Sequence, residues 1–182
     1  MSRRSSWWIM VCAAISLSCP AQLFQTPTAV RLTVSTDKRT YKIGEKIVAS
    51  YRLQNVGNRK LFVPVRFSAD CPPTVHLITE LRDESGNVMR GGYIGDCSPR
   101  SFPSRLEQVK AGSKLLSPGD QYAPGETFDT QGLEPGLYRV AAKFTGWKPT
   151  EFADTDREEL RQFGVPVLTG ALRSSVTIRL TR

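Results

Sequence analysis

Residues 47–54 read Ile-Val-Ala-Ser-Tyr-Arg-Leu-Gln, and this stretch indicates the fold class. Every second residue is apolar or aromatic: Ile47, Ala49, Tyr51 and Leu53. Successive side chains of a β-strand point to opposite faces, so a period of two predicts a strand with one face on a core and the other in solvent.

The same period recurs in both directions along the chain. It is present at residues 30–34, 61–67, 75–81, 138–144 and 176–180. Clusters of turn-forming residues separate these segments, at 55–58, 83–87 and 135–136. Many short strands with such turns favour an antiparallel sandwich or barrel.

The composition supports one small β-rich domain. The chain has 182 residues, 25 Lys and Arg, 17 Asp and Glu, a net charge of +8, and 26 Gly and Pro residues. This length and composition exclude a multi-domain enzyme, a polytopic membrane protein and a coiled coil.

One short helix is predicted at about residues 155–163. Asp154 can cap it, Thr155 and Glu158 have capping-box spacing, and Gly164 can end it. The predicted single domain spans residues 22–182, after an N-terminal signal segment, and has insertions at about 82–118 and 145–172. The first insertion is predicted to be irregular.

The first 21 residues have the pattern of a secretory signal peptide. Arg3 and Arg4 precede the run of residues 7–17, which is too short to span a membrane. Small residues allow cleavage after Ala21 or Ser18. The prediction is a secreted or periplasmic protein, with lipoprotein anchoring at Cys19 as a minor alternative. Cleavage after Ala21 leaves residues 22–182 with a net charge of +6.

Two cysteines, Cys71 and Cys97, remain after cleavage. In an oxidising compartment they predict one disulfide bond. A reactive thiol pair is the alternative, but no Cys-x-x-Cys motif supports redox catalysis.

Two stretches resemble a known kind of domain. Residues 36–45, which read TDKRTYKIGE, together with the strand and the turn at 55–57 are similar to the opening of bacterial immunoglobulin-like sandwich domains, among them the BsuPI-like intracellular proteinase inhibitor family. Residues 133–138, LEPGLY, resemble the tyrosine corner of such sandwiches. The resemblance implies an immunoglobulin-like sandwich. Together with the strand pattern and the helix at about 155–163, it predicts an all-β, immunoglobulin-like antiparallel β-sandwich with one short accessory helix. It also implies that the Tyr138 hydroxyl bonds to upstream backbone.

No set of residues in the sequence predicts catalysis, a metal or a cofactor. The one histidine, His76, is predicted to be an exposed strand residue, and no nucleophile motif accompanies it. The acidic residues at 154–159 lack calcium-loop spacing and suit the first turn of a helix instead. The positive charge is dispersed, which argues against nucleic acid as a partner.

The segment 145–172 is the predicted interaction loop. Its candidate contact residues are Trp147, Phe152, Arg157, Arg161 and Phe163. Tryptophan and arginine are favoured interface anchors, whereas the alternative is that Trp147 and Phe163 cover the open end of the sandwich.

The predicted function is therefore an exported, non-catalytic binding or accessory module. Its partner is another protein or a cell-surface component. A BsuPI-like proteinase inhibitor acting through an end loop is the alternative, and attraction to an anionic surface such as a polysaccharide or lipid head groups is a further possibility.

Overall fold

A computed structural model describes residues 23–65, 76–94 and 104–182 of the protein. The signal-peptide region and both predicted disulfide cysteines, Cys71 and Cys97, lie outside the described residues. The strands are β1 (Phe24–Gln25), β2 (Val30–Thr36), β3 (Thr40–Lys42), β4 (Lys46–Asn55), β5 (Leu61–Pro64), β6 (Leu77–Asp83), β7 (Val88–Ile94), β8 (Ser113–Leu116), β9 (Gln121–Tyr122), β10 (Gly125–Asp129), β11 (Gly136–Thr145), β12 (Val167–Leu168) and β13 (Ala171–Thr181). The helices are α1 (Arg105–Gly112) and α2 (Asp154–Phe163), and 3-10 turns lie at Pro27–Ala29 and Pro149–Glu151.

The strands of the described residues form three sheets. The front sheet has the order β10-β4-β2, with β9 also paired to β4. The back sheet has the order β3-β13-β11-β6-β7, and the end sheet has the order β1-β12-β5-β8. The long pairings are antiparallel, including β2 with β4 and β11 with β13. The predicted all-β sandwich is therefore confirmed.

The main core lies between the front and back sheets. On β4, Ile47, Ala49, Tyr51 and Leu53 are all buried, as the alternation predicts. On β11 the buried face consists of Tyr138, Val140, Ala142 and Phe144. Each of these strands buries about four apolar side chains and leaves the opposite face in solvent.

The end sheet differs from a half-buried strand pair because both of its faces are covered. In β5, Leu61 and Val63 belong to the main core, whereas Phe62 belongs to a second core. In β12, Leu168 belongs to the main core and Val167 belongs to the second core. The expected one-sided alternation of β5 is therefore wrong, since all four of its residues are buried. Burial on both faces suits the parallel pairing of β12 with β1 and β5.

Helices α1 and α2 close the second core on its outer side. This core consists of Phe62, Val109, Trp147, Phe152, Leu160 and Val167. Helix α2 is the predicted helix, and Gly164 ends it with a φ of 74°. Its N-terminal cap is Ala153 rather than Asp154, and the Ala153 N–H donates to the Asp156 carboxylate at 2.8 Å.

Helix α1 was not predicted. It lies in the segment 82–118, which was expected to be irregular. It begins after Ser104, whose hydroxyl accepts a hydrogen bond from the Glu107 N–H. The described part of that segment also contains β7 and β8. The segment thus extends two sheets and covers the second core. No helix in the described part of the chain is long and apolar enough to cross a membrane.

The prediction that His76 is exposed is wrong. His76 is 2% exposed, and one of its ring nitrogens, Nδ1, lies 2.7 Å from the Thr145 carbonyl oxygen. Its ring centroid lies 5.2 Å from that of Trp147. His76 does point away from the main core, but the outer face at this end of the back sheet is covered by Trp147.

Candidate functional site: a basic face on the back sheet

The outer face of the back sheet carries a cluster of cations. Strand β11 buries alternate residues, so Arg139, Ala141 and Lys143 lie on its outer side, and both cations are exposed. Strands β6 and β13 flank β11 on either side. Their outward residues complete a surface that we call the basic face: Arg82, Arg139, Lys143 and Arg173, with Glu80, Ala141 and Ser175 between them.

The strand register arranges the basic face in rows. Arg139 lies opposite Arg82 on β6, and Lys143 lies opposite Arg173 on β13. We call these the Arg139 row and the Lys143 row. The row between them consists of Glu80, Ala141 and Ser175.

Each cationic row sets two like charges directly opposite one another on neighbouring strands. Such pairs destabilise a sheet, whereas opposite charges in the same positions stabilise it. Lys143 and Arg173 carry this electrostatic cost in full, whereas the ion pair of Arg82 with Glu80 offsets part of it in the Arg139 row. A bound anion would relieve the cost that remains.

Most of these cations lack an acidic partner. Arg82 lies 2.6 Å from the Glu80 carboxylate and also donates to the Gly86 carbonyl oxygen. Among the described residues, no carboxylate lies within ion-pair distance of Arg139, Lys143 or Arg173. Their charges remain available to a ligand.

The surface between the rows is low at Ala141 and Ser175, whose side chains are small. The basic face forms a shallow, open depression of about 620 Å³. Ala141 forms part of its floor, and Ser175 adds an exposed hydroxyl. Sites for small molecules are usually enclosed and mostly apolar, so an open, charged depression suits a longer ligand better.

Sequence reasoning missed this site because its residues are far apart in the chain. Arg82, Arg139 and Arg173 come from three segments, so the positive charge looks evenly spread along the sequence. The available signal was the strand alternation, which sets Arg139 and Lys143 on one outward face. Which strands lie beside β11 is not encoded in that pattern.

The structure places the predicted interaction residues in two environments. Trp147 and Phe152 are 2% and 3% exposed and lie in the second core. The Trp147 indole N–H donates to the Ser113 hydroxyl at 3.0 Å, and the Arg105 guanidinium lies over the rings of both aromatic residues. Their aromatic surfaces are thus occupied within the protein.

The other three predicted residues lie on or near α2. Phe163 is 40% exposed, stacks on Phe62 and has the Lys110 ammonium 4.2 Å from its ring centroid. Arg161 is exposed and pairs with Glu158 at 2.9 Å, which lowers the pKa of that carboxyl. Arg157 donates to the Pro149 carbonyl oxygen. None of these three residues is among those that line the depression of the basic face.

The tyrosine corner has the geometry that the resemblance implied. The Tyr138 hydroxyl donates to the Glu134 carbonyl oxygen at 2.8 Å, four residues upstream. The bond fixes the turn that leads into β11, and so positions the strand that carries Arg139 and Lys143.

Acidic side chains do not gather into a metal site in the described ranges. Within residues 23–65, 76–94 and 104–182, no three His, Cys, Asp or Glu side chains are grouped closely enough to hold a metal ion.

Comparison with known proteins returns distant structural likenesses. No protein-family model and no curated protein sequence matches the chain. The CARDB domain of the PF1109 protein from Pyrococcus furiosus, solved in complex with di-metal ions, has a TM-score of 0.40 and 8% identity, over 84% of this chain and 87% of that one.

Two further solved structures are similar at the same level. Spo0M, a sporulation control protein from Bacillus subtilis, has a TM-score of 0.44 and 11% identity, over 84% of this chain and 48% of that one. The C-terminal domain of Wzt has a TM-score of 0.44 and 10% identity, over 85% and 74%. At these TM-scores the likenesses bear on neither the family of this chain nor its function.

Proposed function

We propose that this protein is an exported, non-catalytic binding module that holds an anionic partner on the basic face. The observation that carries this proposal is the register of the back sheet, which sets two like-charged pairs in parallel rows on an open surface. Three of the four cations have no acidic partner among the described residues.

The chemistry of these side chains suits a carboxylate or another oxyanion. Arginine presents a planar set of donors that can bind such groups through two hydrogen bonds, and lysine adds a compact charge. The Ser175 hydroxyl between the rows provides a further donor. An exposed basic surface also speeds encounter with an acidic partner, and salt weakens that effect.

Export is part of the proposal and rests on the N-terminal sequence. Arg3, Arg4 and the short apolar run of residues 7–17 support a signal peptide. Mass spectrometry of the protein recovered outside the cytoplasm should give a mature N-terminus after Ala21 or Ser18. Recovery of the intact N-terminus in the cytoplasm would contradict export without affecting the binding proposal.

The binding proposal is tested with poly-aspartate as the probe, titrated calorimetrically into the purified protein at low and high salt. The double variant Arg139→Gln/Lys143→Gln should bind poly-aspartate at least about tenfold more weakly, because each row loses the cation that β11 contributes. Binding of the unaltered protein should weaken as salt screens the charges.

The matched control is the double variant Arg31→Gln/Arg52→Gln. Both residues are exposed on the front sheet, and the variant has the same net charge as the test variant. It should retain most of the affinity for poly-aspartate. Equal losses in the two variants, or no binding by the unaltered protein, would overturn the assignment of the basic face.

A further inference from the structure

We infer that the partner on the basic face is an extended acidic segment of another protein, with two carboxylates four residues apart. The inference rests on the proposed function, because it names the class of ligand for the same face. The Arg139 row would bind one carboxylate and the Lys143 row would bind the other.

The spacing of the rows supports an extended peptide. Arg139 and Lys143 are four residues apart on β11, which corresponds to roughly 13–14 Å along the strand. In a peptide of the same extended conformation, residues i and i+4 lie on one face at that same separation. In the aligned class of sheet packing, strands run within about 30° of the strands beneath them, and a peptide packed in this way keeps its two carboxylates over the two rows.

The middle row restricts which residue the ligand can have between its two carboxylates. Glu80 lies between the two cationic rows, next to Ala141. A carboxylate at position i+2 of the ligand would face Glu80 and be repelled by it. The middle position of the segment should therefore be neutral, and a hydroxyl or amide side chain there could bond to Ser175.

This arrangement favours discrete carboxylates over a continuous negative surface. Duplex nucleic acid carries one charge per ~1.7 Å of axis, so it would place negative charge over Glu80 as well as over the cations. An anionic membrane would do the same. Side chains spaced along a polypeptide can leave the required gap.

The test uses three synthetic peptides of identical composition with capped termini. Each has two glutamates in a background of serine and threonine, placed at i and i+4, at i and i+2, or at i and i+3. The peptides are titrated into the isotopically labelled protein, and the amide signals of β11 and β13 are followed by NMR. The i,i+4 peptide should bind at least about fivefold more tightly than the other two.

A reciprocal variant sharpens this test. Glu80→Gln removes the negative charge of the middle row from an outward position. It should strengthen binding of the i,i+2 peptide several-fold and reduce the preference for i,i+4. An unchanged preference would show that Glu80 does not select the spacing and would contradict this part of the inference.

The outcomes separate the inference from the proposed function. Equal affinity of the protein for the three peptides would overturn the inference. The proposed function would still stand in that case if Arg139→Gln/Lys143→Gln loses binding to poly-aspartate. Tighter binding to dextran sulfate or phosphatidylglycerol vesicles at matched charge would also overturn it. If neither poly-aspartate nor any peptide binds, both proposals fail.

Discussion

His76 combines burial with one hydrogen bond and one unpartnered ring nitrogen. Nδ1 lies 2.7 Å from the Thr145 carbonyl oxygen, while Nε2 is buried and has no hydrogen-bond partner among the described residues. Burial lowers the pKa of His76 below its ordinary value of 6.5, although the Thr145 carbonyl and the Glu151 charge act in the opposite direction. The neutral ring therefore suits the folded protein.

The lowered pKa of His76 predicts a loss of stability in mild acid. The unfolded chain binds a proton near pH 6.5 more readily than the folded protein does, so the free energy of unfolding should fall as the pH decreases through 6.5. Thermal melts at pH 7.5, 6.5 and 5.5 should show a decreasing Tm. Carboxylates contribute little in this range, because most of them titrate nearer pH 4.

The variant His76→Asn tests the origin of that pH dependence. An asparagine amide can still donate to the Thr145 carbonyl, but it does not titrate. The variant should have a nearly constant Tm between pH 7.5 and 5.5. If its Tm falls as steeply as that of the unaltered protein, another group is responsible.

At the scale of the element, the back sheet links stability to binding. Like charges directly opposite one another destabilise a sheet, and Lys143 with Arg173 is such a pair, whereas Glu80 offsets part of the charge of Arg82 opposite Arg139. The variant Arg139→Gln/Lys143→Gln should therefore be more stable by roughly 0.5–1 kcal/mol at low salt, even as it loses affinity for poly-aspartate.

Urea unfolding at 20 and 500 mM salt measures this gain. The gain should shrink at high salt, where exposed charges are screened. The control Arg31→Gln/Arg52→Gln lacks such directly opposed pairs and should change stability less. A destabilised face variant would show that these side chains support the fold rather than a ligand.

The junction between β11 and the second core depends on a close backbone approach. A Cβ atom on Gly146 would lie 2.5 Å from the Leu168 carbonyl oxygen and 2.8 Å from the Thr169 Cα. The Gly146 N–H donates to the Gly170 carbonyl oxygen at 2.7 Å, so the two segments are held together at this point.

Gly146→Ala should therefore destabilise the protein by about 1–3 kcal/mol, since the added methyl group forces these backbones apart. Urea unfolding would measure the loss. Gly91→Ala is the matched control, because its Cβ would have its nearest contact at 3.5 Å and the residue is exposed. A similar loss in both variants would show that the close approach is not the cause.

At the scale of the whole molecule, the end sheet joins the two cores. Alternate residues of β5 face opposite sides, so Phe62 cannot leave the second core without disturbing Leu61 and Val63 in the main core. We expect the two cores to unfold in one cooperative transition.

Trp147 provides a probe of the second core, because it is the one tryptophan in residues 22–182. In a Trp7→Phe/Trp8→Phe background, its fluorescence and the far-ultraviolet circular dichroism should share one urea midpoint. Leu160→Ala should lower the free energy of unfolding by about 2–5 kcal/mol, because it leaves a cavity in the second core. The fluorescence and dichroism midpoints should therefore move to lower urea together. A fluorescence change at lower urea than the dichroism change would show that the second core unfolds separately.

Much of the strand content could be predicted because period-two alternation is a local property. The buried residues of β4 and β11 follow this alternation directly. Gly164 ends α2 in the left-handed conformation that glycine adopts readily at helix C-termini. Helix α1 could not be found in this way, because its stability comes from contact with the second core rather than from strong amphipathic spacing.

The candidate site could be predicted only in part. The alternation was enough to set Arg139 and Lys143 on the outer side of one strand, but the register with β6 and β13 brought Arg82 and Arg173 beside them. The same limit applies to His76, which is outward by its position in the strand but buried by Trp147 from a segment 71 residues further along the chain.

The sequence by itself determined the class of fold, since apolar side chains at every second position can be buried only by pairing strands into packed sheets. It also determined which side chains of β4 and β11 point into the main core and which point away from it. Only the tertiary structure decided which strands are neighbours, and so which charges lie together. Strand pairing depends on contacts between residues far apart in the chain, and no local pattern contains that information.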